Sequence, residues 1–144
     1  MSNNTVQLTL ALDYDHGLGA LGDYFRGLAN GRAVAGQCTI CGRVWFPPHA
    51  RCPEDGGACK AVDLTGHGVV VGETRTRTRL PFTDTDAERT FVLIAMAGAD
   101  NAAFGRLENF EGTDATGILV RLATIHGPVG HPAQALIFEP SESD

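Results

Sequence analysis

Apolar and polar positions alternate with different periods in successive parts of the chain. Leu18, Leu21, Phe25 and Leu28 recur at spacings of three and four, which puts them on one face of a helix. Asn30-Gly31 is the expected stop, because a left-handed residue is easily accommodated there. Gly19, Gly22 and Gly27 each weaken such a helix by about 1 kcal/mol relative to alanine, so it needs packing against its own chain or against another subunit. Ahead of it, Val6, Leu8, Leu10 and Leu12 alternate with Gln7, Thr9 and Ala11, the period of a short strand. No hairpin mate follows, so this strand is expected to be a sheet edge or a partner-binding arm.

From Leu64 onward, apolar and β-branched runs are separated by glycine, proline and acidic turns. The runs cover 66–79, 90–97, 102–108, 117–125 and 134–139, and five strands predict an OB-type barrel. Gly66, Gly68 and Gly72 would let a long first strand bend at the barrel corner. Residues 80–89 and 126–133 read as the longest loops. The stretch from Asn109 to Thr116, where such barrels often insert a helix, is too short and acidic to form one. The chain thus divides into an arm and helix (1–35), a cysteine-bearing module (36–62), a barrel (63–140) and a tail (141–144). The fold class is mostly β.

The chain has 144 residues and a formal charge of −6, and ten of its eleven basic residues are arginine, with Lys60 the one lysine. An acidic chain lacks the broad cationic surface that releases counterions from nucleic acid, so nucleic acid is not an expected partner. No window approaches the roughly 18 apolar residues of a membrane span, and the expected location is the cytoplasm. Thiols there stay reduced, so four cysteines confined to positions 38–59 read as metal ligands rather than as two disulfides.

Their spacing supports that reading. Cys38-Thr39-Ile40-Cys41-Gly42 is a knuckle: two cysteines two residues apart curl one turn around a single ion, and Gly42 supplies the backbone freedom. Cys52-Pro53 follows eleven residues later. A standard second knuckle would put cysteine at position 55, where the chain has Asp55, and Cys59 lies four residues further on. Thiolate suits a closed zinc site better than carboxylate, which favours Cys59 through a widened loop, with Asp55 the serious competitor and His49 a distant third. A ribbon that folds without metal is the alternative to all three. The expected role is structural, since a catalytic zinc keeps an open position for water.

The rest of the sequence offers little chemistry. Serine occurs only at positions 2, 141 and 143, so the folded body has no serine nucleophile. The cysteines are engaged by the ribbon, and Lys60 adjoins it. His16, His67, His126 and His131 each neighbour glycine or proline and form no pair at ligand spacing, and no glycine-rich phosphate loop occurs. Arg75, Arg77 and Arg79 alternate with Thr74, Thr76 and Thr78, putting three guanidiniums on one strand face. That face is either a solvated surface balanced by Asp84, Asp86 and Glu88 or a platform for ligand phosphates and partner carboxylates. Trp45-Phe46 is either an interface anchor or packing between ribbon and barrel.

Taken in order, Cys38 to Gly42, Phe46-Pro47-Pro48, Cys52-Pro53 and Thr65-Gly66-His67-Gly68-Val69 resemble the acyl-CoA-associated OB-fold family, over about residues 20–140. The resemblance implies an N-terminal helix, a rubredoxin-like zinc ribbon and a C-terminal OB-fold. It also implies assembly with thiolase-like enzymes: ketoacyl-CoA thiolases, acyltransferases, or aldolases acting on acyl-CoA. In such assemblies the catalytic residues belong to the partner. The expected function is therefore a non-catalytic accessory subunit of a hetero-oligomer in fatty-acyl, steroid or aromatic-acid metabolism, with structural zinc, a coenzyme A thioester as ligand of the complex, and Arg75, Arg77 and Arg79 as phosphate or partner contacts. A stand-alone nucleic-acid-binding protein is the second reading, and a stand-alone enzyme the third.

Overall fold

The computed structural model describes residues 4–80, 85–125 and 136–142. A 3₁₀ turn (Gly19–Leu21) leads into helix α1 (Gly22–Ala29), and Gly31 closes the helix with φ +69°. The helix buries Tyr24 and Leu28 and stands against strand β1 (Ala33–Cys38). Burial pushes the Tyr24 phenol up to about 12, because the ionised ring would lose its hydration. Residues 4–18 carry no strand, contrary to the alternation of Val6 to Leu12. A lone strand has no ladder of its own, and among the described residues none pairs with this segment.

The cysteine module is a three-stranded antiparallel sheet, ordered β2 (Val44–Trp45), β1, β3 (Cys59–Leu64). Its attachment to the barrel is polar as well as apolar. Asp100 accepts from the Val44 N–H at 2.8 Å through its carboxylate and donates its own N–H to the Val44 carbonyl at 2.8 Å. Asn101 repeats this with Phe46, accepting at Oδ1 and donating from Nδ2, each at 2.9 Å. The two residues give the outer edge of β2 the partners that a further strand would supply. Phe46 is fully buried and meets Tyr24 edge-on at 5.9 Å, which makes it a packing residue between helix, ribbon and barrel.

The barrel is closed in the order β4 (His67–Arg79), β5 (Asp86–Met96), β6 (Ala102–Leu107), β8 (Ile137–Pro140), β7 (Leu119–Leu122), returning to β4. All neighbours are antiparallel except β6 and β8. This is the five-stranded OB arrangement, and the stretch from Asn109 to Thr116 holds no helix. Alternation along β5 aims Val92, Ile94 and Met96 inward onto Val70, Ala103, Leu107, Val120 and Phe138. Gly68 serves close approach rather than bending: a Cβ there would lie 2.6 Å from Ile94 Cγ2 and 2.8 Å from the Ala95 carbonyl oxygen. The bend occurs at the register shift between Val70 and Gly72.

Strand β5 begins at Asp86, inside the stretch expected to be loop, because β4 pairs with it down to Arg79–Asp86. Among the described residues β7 pairs with His67–Val69 of β4 and β6 with Thr90–Ala95 of β5, so the described part of the distal hairpin extends past both pairings. Residues 126–133, the other expected long loop, lie outside the described residues.

Candidate metal centre

Three sulfurs and one carboxylate converge at the tip of the ribbon. Cys38 ends β1, and the turn after it closes through the Gly42 N–H donating to the Cys38 carbonyl at 3.1 Å, with Gly42 at φ +76°. This brings Cys41 back beside Cys38. The second loop is tied more tightly. The Gly56 N–H donates to the Cys52 carbonyl at 2.9 Å and the Cys52 N–H to the Gly57 carbonyl at 2.8 Å, while Gly56 adopts φ +73°. That closed turn swings Asp55 onto the sulfurs.

Cys38, Cys41, Cys52 and Asp55 each offer a ligand atom, all within 4.8 Å of one another. The separations can be compared with a tetrahedral zinc centre. Zn–S of about 2.3 Å and Zn–O of about 2.0 Å imply an S–S edge near 3.8 Å and an S–O edge near 3.5 Å. Cys41 Sγ and Cys52 Sγ are 3.7 Å apart, and Cys38 Sγ lies 3.3 and 3.5 Å from the two Asp55 oxygens. The donor set and its spacing fit a divalent zinc ion held by four protein atoms, with no corner left for water.

The preferred fourth ligand from ligand chemistry, Cys59, lies outside this group. Its backbone is fixed in β3 opposite Cys38, and its sulfur faces the Gly57 carbonyl oxygen at 4.0 Å. His49 is also outside, with its ring edge-on to Trp45 at 5.6 Å. The missing signal was local. Only a residue at Gly57 without a side chain leaves room, since a Cβ there would lie 2.9 Å from Asp55 Oδ1 and 3.0 Å from Cys38 Sγ. The pair Gly56-Gly57 directly after Asp55 was visible in the sequence and marks this turn.

Electrostatics point the same way. The Gly57 N–H donates to Asp55 Oδ1 at 2.8 Å, and with the Cys41 thiol it holds the carboxyl below its usual range. At Cys52 desolvation opposes the thiolate, but the N–H groups of Glu54 and Asp55 outweigh it and lower the thiol's pKa. The Trp45 indole N–H acts in the same direction, although it is buried without a partner of hydrogen-bond geometry. At Cys41 the Arg43 N–H favours the thiolate, yet desolvation and the neighbouring Asp55, Cys38 and Cys52 prevail and push it up to about 12. Cys59 is likewise raised, by desolvation and then by the negative neighbours Cys38, Cys52 and Asp55. Negative donors this close hold protons unless a cation replaces them.

The arginine face is partly used by the fold. Arg75 donates to the Gly112 carbonyl at 2.8 Å and pairs with Glu73 at 3.5 Å, while Arg77 pairs with Asp86 at 3.3 Å. The Arg77 pair is exposed and contributes at most about 1 kcal/mol. Arg79 has no ion pair among the described residues, and the structure does not bring the three arginines to the metal cluster.

No family model matches the chain, and no curated protein matches it. Solved structures do. A chain described as "Ltp2-ChsH2(DUF35) aldolase" superposes with a TM-score of 0.59 at 18% identity, covering 92% of this chain and 98% of the other. A protein of unknown function from the DUF35 family of Sulfolobus solfataricus superposes with a TM-score of 0.60 at 17% identity, covering 85% and 87%. The two likenesses show a shared fold.

Proposed function

We propose that this protein is a non-catalytic accessory subunit of a thiolase-like acyl-CoA enzyme, with its ribbon clamped by structural zinc. The observation that carries the reading is the N-terminal arm. Val6, Leu8, Leu10, Leu12 and Tyr14 are 75–91% exposed along a segment that makes no sheet pairing among the described residues. Contiguous exposed apolar surface of this kind marks an interaction site. The arm runs directly into α1, so a partner that covers it also reaches the helix and the ribbon behind it.

Other features agree. The fold is shared with a chain from an aldolase complex. The zinc cluster has four protein donors, which suits a clamp rather than a reaction centre. Phe91 and Phe104 stack at 5.6 Å on the outer barrel wall beside Phe25 and Pro47, a second apolar surface for the same partner. Arg77 and Arg79, on the distal hairpin, are the proposed contacts for coenzyme A phosphates or partner carboxylates, with Arg75 shared with the fold. No described helix is long and apolar enough to cross a membrane.

Purification of the tagged chain from its native host tests this. A thiolase-sized protein is expected to accompany it in stoichiometric amount. Deleting residues 1–17 is expected to abolish that association while zinc content stays unchanged. Bound nucleic acid in place of a protein partner, or acyl-CoA turnover by the isolated chain, would overturn the proposal.

A further inference from the structure

We propose that Cys59 and Cys38 form an oxidative modification site that couples thiol oxidation to release of the ribbon's metal. Cys38 and Cys59 face one another across β1 and β3. Neither backbone N–H is shared within the pair: that of Cys38 donates to the Arg43 carbonyl at 2.8 Å and that of Cys59 to the Ala50 carbonyl at 3.3 Å. This is therefore a narrow, non-hydrogen-bonded antiparallel pair, for which the Cα atoms stand about 4.5 Å apart with side chains on one face. A disulfide requires about 4.4–6.8 Å between Cα atoms, and the spacing of such a pair falls at the short end of that range.

The two thiols differ in their setting. Cys38 is buried and belongs to the metal cluster, whereas Cys59 is outside the cluster and half-buried. A cavity of about 70 Å³, lined also by Leu21, Tyr24, Pro48 and His49, opens onto Cys59. It has room for a peroxide-sized oxidant, since one water occupies about 30 Å³ of liquid. Cys59 gives up its proton, its thiolate attacks one peroxide oxygen, the O–O bond breaks, and the departing hydroxide takes that proton as water, leaving Cys59 as the sulfenic acid. The Cys38 thiolate then attacks the Cys59 sulfur, forming the S–S bond and expelling hydroxide. One thiol, one thiolate and one hydrogen peroxide give one disulfide, one water and one hydroxide. The Cys38 electron pair that bound the metal is now in the S–S bond. Cys41, Cys52 and Asp55 alone would remain to hold an ion, one donor short of the closed site.

Zinc-loaded full-length protein treated with stoichiometric hydrogen peroxide, in the presence of a chromogenic zinc chelator, reads the release directly. Non-reducing peptide mapping reads the bond. The wild-type chain is expected to release its zinc with a Cys38–Cys59 linkage, and thiol reductant is expected to restore binding. The Cys59→Ser variant is expected to bind zinc with unchanged stoichiometry and to release it at least about tenfold more slowly, because the sulfur that meets the peroxide is gone. Equal release rates, a map showing Cys41–Cys52 instead, or a Cys59→Ser variant that cannot hold zinc would each overturn the proposal. Mapping does not depend on metal content. A chain purified without zinc therefore overturns the metal-release half alone, and a map without Cys38–Cys59 overturns the modification site.

Discussion

Replacement of Cys52 by alanine is expected to reduce bound zinc from about one ion per chain to less than about a tenth, with the ribbon tip unfolding and the barrel intact. Residues 39–43 and 53–56 are exposed, and the buried side chains between them are Cys38, Cys52 and Phe46. The tip has no apolar core of its own, so the metal replaces one. Structural zinc sites bind with an apparent 10–16 kcal/mol, roughly, and that binding energy is folding energy for the segment. Removing a direct ligand therefore costs more than the about 10–100-fold expected for an outer partner. Metal analysis combined with amide hydrogen exchange checks this: fast exchange should be confined to residues 38–58. Full zinc occupancy in the variant would show that Cys52 is not a ligand.

Phe46→Ala is expected to destabilise the protein by about 3–5 kcal/mol, measured by urea denaturation, the range for truncating a fully buried phenylalanine. The side chain is inaccessible to solvent and packs on Tyr24, and its backbone is held on both sides by Asn101. The cavity would open where helix, ribbon and barrel meet, so all three should lose stability together. The companion Trp45→Ala is expected to cost less, because Trp45 is half-buried and its N–H already lacks a partner. A loss below about 1 kcal/mol for Phe46→Ala would mean that ribbon and barrel are independent of each other.

Much of this architecture could be read from periodicity. The spacing of Leu18, Leu21, Phe25 and Leu28 announced a helix and Gly31 ends it with the expected left-handed φ, but α1 begins only at Gly22, so Leu18 and Leu21 precede it and Tyr24 is buried with Leu28. The five β-like runs each became a barrel strand, since inward alternation is a local property of the sequence. What failed depended on partners distant in sequence. Val6 to Leu12 has the period of a strand but no described sheet edge receives it, so an amphipathic pattern became an exposed arm. Asp86 to Arg89 is polar and reads as loop, yet β4 supplies a partner for it residue by residue.

The metal site divides differently, because its signals are all local. Cys38, Cys41 and Cys52 were legible because knuckle spacing is a local constraint. The choice between Cys59 and Asp55 was marked only by Gly56-Gly57, whose meaning lies in the positive φ of Gly56 and the tight turn from Cys52 to Gly57. Ligand preference argued for sulfur, but backbone geometry brings the carboxylate within 3.3 Å of the Cys38 sulfur. Sulfur at position 59 is left outside the group, which is what frees it for other chemistry.

The most direct test is X-ray absorption at the zinc edge of reduced, full-length protein. The predicted first coordination sphere is three sulfurs at about 2.3 Å and one oxygen at about 2.0 Å, unchanged by Cys59→Ser and altered by Asp55→Ala. A sphere of four sulfurs that loses one in Cys59→Ser would contradict it.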